Sequence, residues 1–149
     1  MTLEQFKDKI KNICTAHKDI KKFDYGSEYN KDEDNDCIYP MAFLELPYVY
    51  DYELNNTMDS FSIALDILIA TNNDDVESDH FAISLSKEIA DVILLYINNE
   101  VDDFKIESAS GLSTREYTDD NVAGWRLELN ILFPRENCDA FDYNDYFNF

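Results

Sequence analysis

The chain has 149 residues, and its 32 acidic and 12 basic residues give it a formal net charge of −20 at pH 7. This length fits one domain with its own core, and a hydrophobic content of 45% is typical of a folded chain. The usual mode of DNA binding needs a basic stripe that contacts the phosphates, and outside its first helix this chain lacks one. No apolar run approaches the ~20 residues that cross a bilayer, so we expect no membrane association. Three widely spaced cysteines fit free thiols in a reducing compartment rather than a disulfide framework.

The N-terminal segment predicts an amphipathic helix from Thr2 to about Lys18, in which Thr2 is the N-cap and Gln5 completes a capping box. Six of the twelve basic residues lie in the first 22 positions, so this segment carries +3 and the remainder carries −23. Packing on a sheet is the simpler interpretation of this helix. The alternative is that its basic face contacts the acidic face of a neighbouring copy, with Lys7, Lys11 and Lys18 as candidate contacts.

Two strands are expected before the centre of the chain, after a strand or irregular arm at residues 23–29. Residues 38–46 are apolar enough for a strand, but Pro40 cannot donate a hydrogen bond to a neighbour. That strand should therefore lie at a sheet edge or be bulged at the proline. Pro47 is expected to end it, and the alternation at residues 48–52 predicts a second strand or extended arm.

The central segment contains the strongest patterns of the sequence. Apolar residues recur at every second position over residues 59–71, which predicts a long strand covered on one face. Residues 79–98 instead show the spacing of an amphipathic helix, with Ser78 or Asp79 as its N-cap. The expected apolar face of this helix consists of Phe81, Leu85, Ile89, Val92, Ile93 and Tyr96.

Two further strands are expected at residues 103–110 and 124–133, and Pro134 ends the second. Trp125 is expected to pack in the core or on a hairpin. The sequence therefore predicts an α+β fold, with an antiparallel or mixed sheet covered on one face by the two helices. Residues 1–134 would form a single domain, followed by a C-terminal arm at residues 135–149.

The arm combines five aromatic residues with four acids and shows neither helical nor strand periodicity. Its own sequence cannot bury so many rings, so the arm either wraps its parent domain or packs on another subunit. The aromatic candidates for a subunit interface are Phe141, Tyr143, Tyr146, Phe147 and Phe149.

No pattern in the sequence predicts a metal, a cofactor or a catalytic site, so we expect a protein that is not an enzyme. The acidic cluster at residues 32–36 resembles the start of a calcium loop, but Cys37 stands where the turn requires glycine. The acidic loop at residues 72–79 also lacks the order of calcium ligands. Cys14 and His17 are one helical turn apart, but both fall on the apolar face, which favours core packing over nucleophilic chemistry.

Several short motifs resemble phage neck proteins. They are Asn56-Thr57 before the long strand, Ser78-Asp79-His80 at the helix start, and the run VAGWRLELNI at residues 122–131, followed by Pro134 and the acidic, aromatic arm. Over about residues 39–143, these motifs and the order of elements resemble head-to-tail connector, tail-completion and tail-terminator proteins. The resemblance is greatest to ring-forming neck components of crAss-like phages, which infect Bacteroidetes.

The resemblance implies a helix-on-sheet subunit that assembles as a ring of six or twelve copies around the DNA channel. The implied partners are copies of the chain itself and adjacent neck, portal or tail proteins, assembled in the host cytoplasm into the virion. DNA would pass through the ring without tight binding, and the negative charge of the chain agrees with this. The resemblance supplies no catalytic residues.

A second hypothesis, from another functional class, is a small acidic intracellular binding protein, such as a DNA-mimic inhibitor of a basic host protein. Mimicry needs acids in a regular double row, whereas the acids here concentrate in loops and in the arm. The mass in solution separates the two hypotheses, because a mimic acts as a monomer or a dimer.

Overall fold

Two helices and five strands make up the part of the chain that the computed structural model describes, which is residues 1–27, 38–52, 54, 58–72, 75–116, 121–134 and 143–147. The expected α+β fold is confirmed. In chain order the elements are α1 (Leu3–Ala16), β1 (Lys22–Gly26), β2 (Met41–Asp51), β3 (Met58–Ala70), α2 (Val76–Glu100), β4 (Lys105–Glu116), β5 (Val122–Pro134) and a short 3-10 turn (Tyr143–Asp145).

The strands form one mixed sheet in the order β1-β2-β3-β5-β4. β1 pairs with β2 in parallel, and the other three pairings are antiparallel. The long central strand β3 is paired with β5 from Met58↔Pro134 to Ala70↔Val122. The last strand of the chain therefore lies inside the sheet, between β3 and β4.

The alternation that predicts β3 also decides which side of the sheet carries the main core. On β3, Phe61, Ile63, Leu65 and Ile67 are buried beneath the helices, as the pattern requires. A ring cluster ties α1 to this face, because Phe6 lies 4.8 Å from Phe61 between ring centroids. β5, the two helices and the segment that follows α2 complete the core with Leu127, Leu129, Ile131, Phe133, Ile10, Cys14, Ile89, Ile93, Ile97 and Phe104.

The segments predicted as two elements, residues 38–46 and 48–52, form the single strand β2, which lies inside the sheet, and the prediction was wrong at both prolines. Pro40 precedes β2, and its carbonyl accepts a hydrogen bond from the amide of Lys21 at 2.9 Å. Pro47 does not end the strand but lies inside it, where the register with β3 shifts between Glu45 and Val49. β1 pairs only with the first part of β2, up to Glu45, so Pro47 removes no ladder hydrogen bond on that side either.

The start of α1 is the predicted capping box. The hydroxyl of Thr2 accepts from the Gln5 amide at 3.1 Å, and the Thr2 amide donates to Gln5 Oε1 at 2.8 Å. The helix ends at Ala16, two residues before the predicted end, and His17 is its C-cap.

The helix α2 starts one turn earlier than predicted. Its N-cap is Asp75, not Ser78 or Asp79, because the Asp75 carboxylate accepts from the amides of Glu77 at 3.0 Å and Ser78 at 3.3 Å. No helix in the described part of the chain combines the length and the apolarity needed to cross a bilayer.

The buried face of α2 is only partly the predicted one. Ile89 and Ile93 are buried as expected, but Phe81, Val92 and Tyr96 are 68%, 55% and 51% exposed. Small side chains take their place against the sheet and allow the helix backbone to approach it closely. The buried residues of the helix are Ala82, Ser86, Ile89, Ala90, Ile93 and Ile97.

Two glycines allow close packing around β5. A Cβ atom on Gly124 would lie 2.0 Å from the carbonyl oxygen of Ile67, so only glycine fits at this position. A Cβ atom on Gly111 would lie 2.5 Å from Nε1 of Trp125, whose ring packs against the core as expected. β4 continues past residue 110 to Glu116 because the whole of it pairs with β5.

Candidate assembly surfaces

A groove separates α1 from α2 on the outer side of the helical layer. We call it the α1–α2 groove, and its volume is about 680 Å³. Apolar side chains from both helices line it, and charged residues from the end of α1 stand at its rim. The lining residues are Lys9, Asn12, Ile13, Ala16, His17, Lys18, Asp19, Val92, Ile93 and Tyr96.

The exposed side of α2 continues this apolar surface along the helix. A second depression of about 420 Å³, lined in part by Leu85 and Ile89, shares His17, Asp19 and Val92 with the groove. Further residues along the helix are exposed as well, namely Val76, Phe81, Leu95 and Tyr96. From Val76 to Tyr96 the helix rises about 30 Å. A helix that is apolar on two sides is typical of one that is covered on both, and here only one side is covered by its own sheet.

The three candidate lysines have different surroundings. Lys7 is largely covered, with its side chain 13% exposed. It pairs with Glu4, lies 3.7 Å from Asp8 Oδ1 and stands 4.7 Å from the ring centre of Tyr25. Its hydrogen bond to Glu4 raises the pKa of Lys7 above the ordinary value, with the nearby carboxylates adding to the effect. Lys7 therefore already has its charged and aromatic partners within its own chain, so it is a weaker candidate for a subunit contact.

Lys11 and Lys18 are the lysines of the helical layer that remain available to a partner. Both are exposed, and within the described ranges neither has an ion-pair partner. Lys18 also lines the α1–α2 groove. The neighbouring Lys9 is different, because it pairs with Asp103 at 3.0 Å and so joins α1 to the segment that follows α2. The sequence alone did not reveal that pair.

The aromatic arm is described only at residues 143–147. Tyr143 begins the short 3-10 turn, and Tyr146 and Phe147 are 66% and 55% exposed. Phe141 and Phe149 lie outside the described residues. Among the described residues that line the α1–α2 groove, none belongs to the arm. The structure thus brings Lys18 to the groove and leaves two of the arm's rings at the surface.

The opposite face of the sheet carries an ionic cluster that sequence reasoning missed. The guanidinium of Arg126 donates to both carboxylate oxygens of Glu45, at 2.6 and 3.0 Å, and to Asp66 Oδ2 at 3.4 Å. It also donates to Glu128 Oε1 at 3.2 Å. These hydrogen bonds, first of all the one to Glu45, raise the pKa of Arg126. The one signal in the sequence was Asp66, a charge within the most apolar strand, and its side chain is 1% exposed.

Polar side chains extend from this cluster across β3, β5 and β4. Ser62 Oγ donates to Asn130 Oδ1 at 2.6 Å, and Asn130 Nδ2 donates to Ser108 Oγ at 2.8 Å. Together with Arg126 and Glu128 they line a shallow cleft of about 590 Å³. The hydroxyls of Ser62 and Ser108 are bonded to an amide rather than to a base, so neither forms the nucleophile–base pair that covalent catalysis needs.

Cys14 and His17 do not form a nucleophilic pair. The thiol of Cys14 is fully buried, and burial raises its pKa to about 12, so it stays protonated at neutral pH. The ring of His17 is engaged elsewhere, because its Nδ1 accepts from the Asp19 amide at 3.2 Å. Core packing therefore accounts for this cysteine.

The described acids of the loop at residues 72–79 form no metal centre. Asp75 caps α2, and Asp79 accepts a hydrogen bond from Arg115 Nε at 2.9 Å, so two acids of the 72–79 loop have structural roles. The cluster at 32–36 and Cys37 lie outside the described residues. Within the residues described, no group of three or more His, Cys, Asp or Glu side chains is placed to hold a metal ion.

Comparison with known proteins adds no assignment to this geometry. Neither the protein-family models nor the curated proteins contain a match to this chain.

Proposed function

We propose that this protein is a structural virion protein, a ring-forming subunit of a phage head-to-tail neck or tail-completion assembly. The observation that carries the proposal is the double-sided apolar character of α2. Its inner side packs on the sheet, while Phe81, Val92 and Tyr96 stand exposed on its outer side. Exposed apolar surface of this extent is typical of a protein that binds another protein.

The charge distribution supports contact between copies of the same chain. Lys11 and Lys18 lie in a segment of +3, and the remainder of the chain carries −23. Two different and complementary patches on one molecule favour a head-to-tail contact, which closes into a ring when the rotation per subunit divides the circle. The partners would be further copies, in a ring of six or twelve, and the adjacent neck, portal or tail proteins.

The acidic surface fits a wall beside DNA. Carboxylates repel the phosphates, so DNA passes through the ring without being held. The sequence motifs that resemble phage neck proteins support the same assignment. Localisation in the virion, after assembly in the host cytoplasm, is part of this proposal.

Native mass spectrometry and negative-stain microscopy of the full chain at increasing concentration test the function. Rings of six or twelve copies are expected, and they should weaken as salt screens the charges. Exchanging Lys11 and Lys18 for glutamate should reduce assembly, whereas Lys105→Glu makes the same kind of charge change on the exposed edge strand β4 and should not. A chain that stays monomeric at about 1 mM and competes with DNA for a basic protein would instead support the DNA-mimic hypothesis.

A further inference from the structure

We propose that the outer edge of β4 pairs with the same edge of a second copy of this chain. The two strands would run antiparallel, so that the two five-stranded sheets become one continuous sheet. This inference goes beyond the ring function and does not rest on it, because it uses only the geometry of the sheet. A two-fold contact of this kind joins copies in pairs, whereas a ring needs a head-to-tail contact.

The edge of β4 accepts one kind of partner. β4 is the outermost strand of the sheet that the described residues form, and the side chains of residues 107–113 are all exposed. Because side chains alternate between the two faces, β4 is open on both faces here as well as along its edge. The backbone N–H and C=O groups of an edge strand form a ladder only with another extended segment laid alongside. The partner that fits this surface is therefore a strand.

β4 also lacks the usual protection of a sheet edge. Proteins protect an edge by keeping its strand short or by placing charges, prolines or bulges on it. The opposite edge follows this rule, because β1 has five residues, of which Lys22 and Asp24 are charged. β4 has twelve residues, and its register with β5 shifts between Ile106 and Ser108. Beyond this shift, residues 108–114 contain neither a charge nor a proline, and we call them the β4 pairing segment.

The β4 pairing segment is complementary to itself. In an antiparallel pair, directly opposed residues share one face of the sheet, so the two-fold axis passes beside a residue rather than between two residues. Gly111 is the centre of the segment. With the axis there, Ser108 lies opposite Thr114 of the second copy, and Ser110 lies opposite Leu112. Opposed serine and threonine hydroxyls can bond across strands, and the helical layers of both copies lie on the same side.

This register brings apolar side chains together and opposes no like charges. Leu112 is the large apolar side chain exposed on β4. The Leu112 side chains of the two copies become diagonal neighbours across the axis, about 7–8 Å apart and within reach of each other. At the ends of the segment the nearest charges are Glu107 of one copy and Arg115 of the other, which have opposite signs.

The proposed pair is closed. Joining two β4 edges covers the long edge of each copy, and the edges that remain outside are both β1. Because β1 is short and charged, it does not favour the addition of further strands. The contact therefore predicts a dimer rather than open-ended aggregation.

Analytical ultracentrifugation of the full chain tests the pairing between about 10 µM and 1 mM, where even a millimolar dissociation constant gives a measurable dimer. Leu112→Lys places two ammonium groups beside each other across the axis and should weaken the dimer at least about tenfold. Leu112→Glu should weaken it for the same reason. An equimolar mixture of the two variants should recover the dimer, because opposite charges then meet. If rings form, the measurement is repeated in a chain carrying Lys11→Glu and Lys18→Glu.

Phe81→Lys is the matched control. It makes the same kind of change at an exposed ring on α2, away from the β4 edge, and should leave the dimer unchanged. Hydrogen–deuterium exchange measures the contact without any substitution. The amides of residues 108–114 that point outward should exchange more slowly at about 1 mM than at about 10 µM.

A chain that stays monomeric at about 1 mM would overturn the inference, as would a dimer that Leu112→Lys leaves intact or that Phe81→Lys weakens equally. A mixture of the lysine and glutamate variants that recovers no dimer would refute the two-fold register. The same samples keep the two proposals separate. Rings without protection of residues 108–114 would remove this contact and leave the ring function. Dimers paired through β4 without rings of six or twelve would leave this contact and remove the ring.

Discussion

Replacing Arg126 with methionine should destabilise the protein strongly at neutral pH. Methionine keeps much of the length of the side chain but removes the cation that pairs with Glu45, Asp66 and Glu128. Removing one partner of a buried ion pair costs about 3–5 kcal/mol, because the remaining charge stays buried. The side chain of Asp66 is 1% exposed, so its charge would stay buried without the arginine. Glu128 is half-exposed, so its ion pair with Arg126 contributes no more to stability than a surface pair.

We therefore expect a loss of about 3 kcal/mol in the free energy of unfolding, at the lower end of that range because Arg126 and Glu45 keep some contact with solvent, at 23% and 19% exposure. For a chain of this size, that loss lowers the melting temperature by about 6–12 °C. Arg126→Lys should fall between parent and methionine variant, since an ammonium cannot bind both oxygens of Glu45 at once. Glu128→Gln is the matched control and should change stability by less than about 1 kcal/mol.

Urea unfolding at several pH values is the assay. The deficit of Arg126→Met should shrink as the pH falls from about 7 to 4, because protonation neutralises the carboxylates that the arginine no longer balances. Asp66→Asn in the Arg126→Met background should recover part of the stability. If Arg126→Met costs no more than Glu128→Gln, or if Asp66→Asn recovers nothing, the reasoning about this cluster is wrong.

Three further predictions concern the core and a helix cap. Gly124→Ala should lower the free energy of unfolding by about 3 kcal/mol, because the added Cβ would lie 2.0 Å from the Ile67 carbonyl oxygen. Gly111→Ala should lower it less, because the tryptophan ring that its Cβ would meet can shift. Equal melting temperatures for the two variants would contradict this. Burial raises the pKa of Cys14 from 9.0 to about 12, so its contribution to stability is lost as pH rises from 9 towards 12. Relative to Cys14→Ala, the parent should lose about 1 kcal/mol by pH 10 in urea unfolding, and parallel pH profiles would refute it. Asp75→Ala should cost about 1 kcal/mol in thermal unfolding through loss of the α2 cap, and an unchanged melt would exclude that role.

The sequence predicted those elements whose residue pattern reflects either a single packing surface or contacts between residues close in sequence. The apolar residues of β3 alternate because one face lies beneath the helices, although Ala64, Asp66 and Leu68 on the other face are buried as well. α1 carries a capping box that is local in sequence. Pro47 was misjudged because a proline ends a strand only where a ladder hydrogen bond is needed, and the bulge between Glu45 and Val49 removes that need.

The face of α2 could not be chosen from its sequence. The helix has two apolar stripes, and the larger side chains, such as Phe81 and Tyr96, lie on the exposed one. Close packing on the sheet selects the stripe with small residues such as Ala82 and Ala90, which a count of large apolar residues overlooks.

The candidate surfaces could also be predicted from the sequence only in part. The uneven charge identified Lys11 and Lys18 as exposed basic residues, but whether Lys7 was available depended on Glu4 and Tyr25, which only the structure places beside it. The Arg126 cluster joins residues up to 81 positions apart, so no local pattern could reveal it.

The position of β5 between β3 and β4 sets the order in which this chain can fold. β2 and β3 form one antiparallel pair, and β4 and β5 form another, with α2 between them in sequence. The two pairs join only when β5 aligns with β3, for example Leu65 with Leu127, which closes a loop of about sixty residues. A sheet dominated by such distant pairing folds slowly compared with a helical bundle. During synthesis, β3 therefore lacks its partner on this edge, and β4 lacks the strand it pairs with, until β5 has left the ribosome.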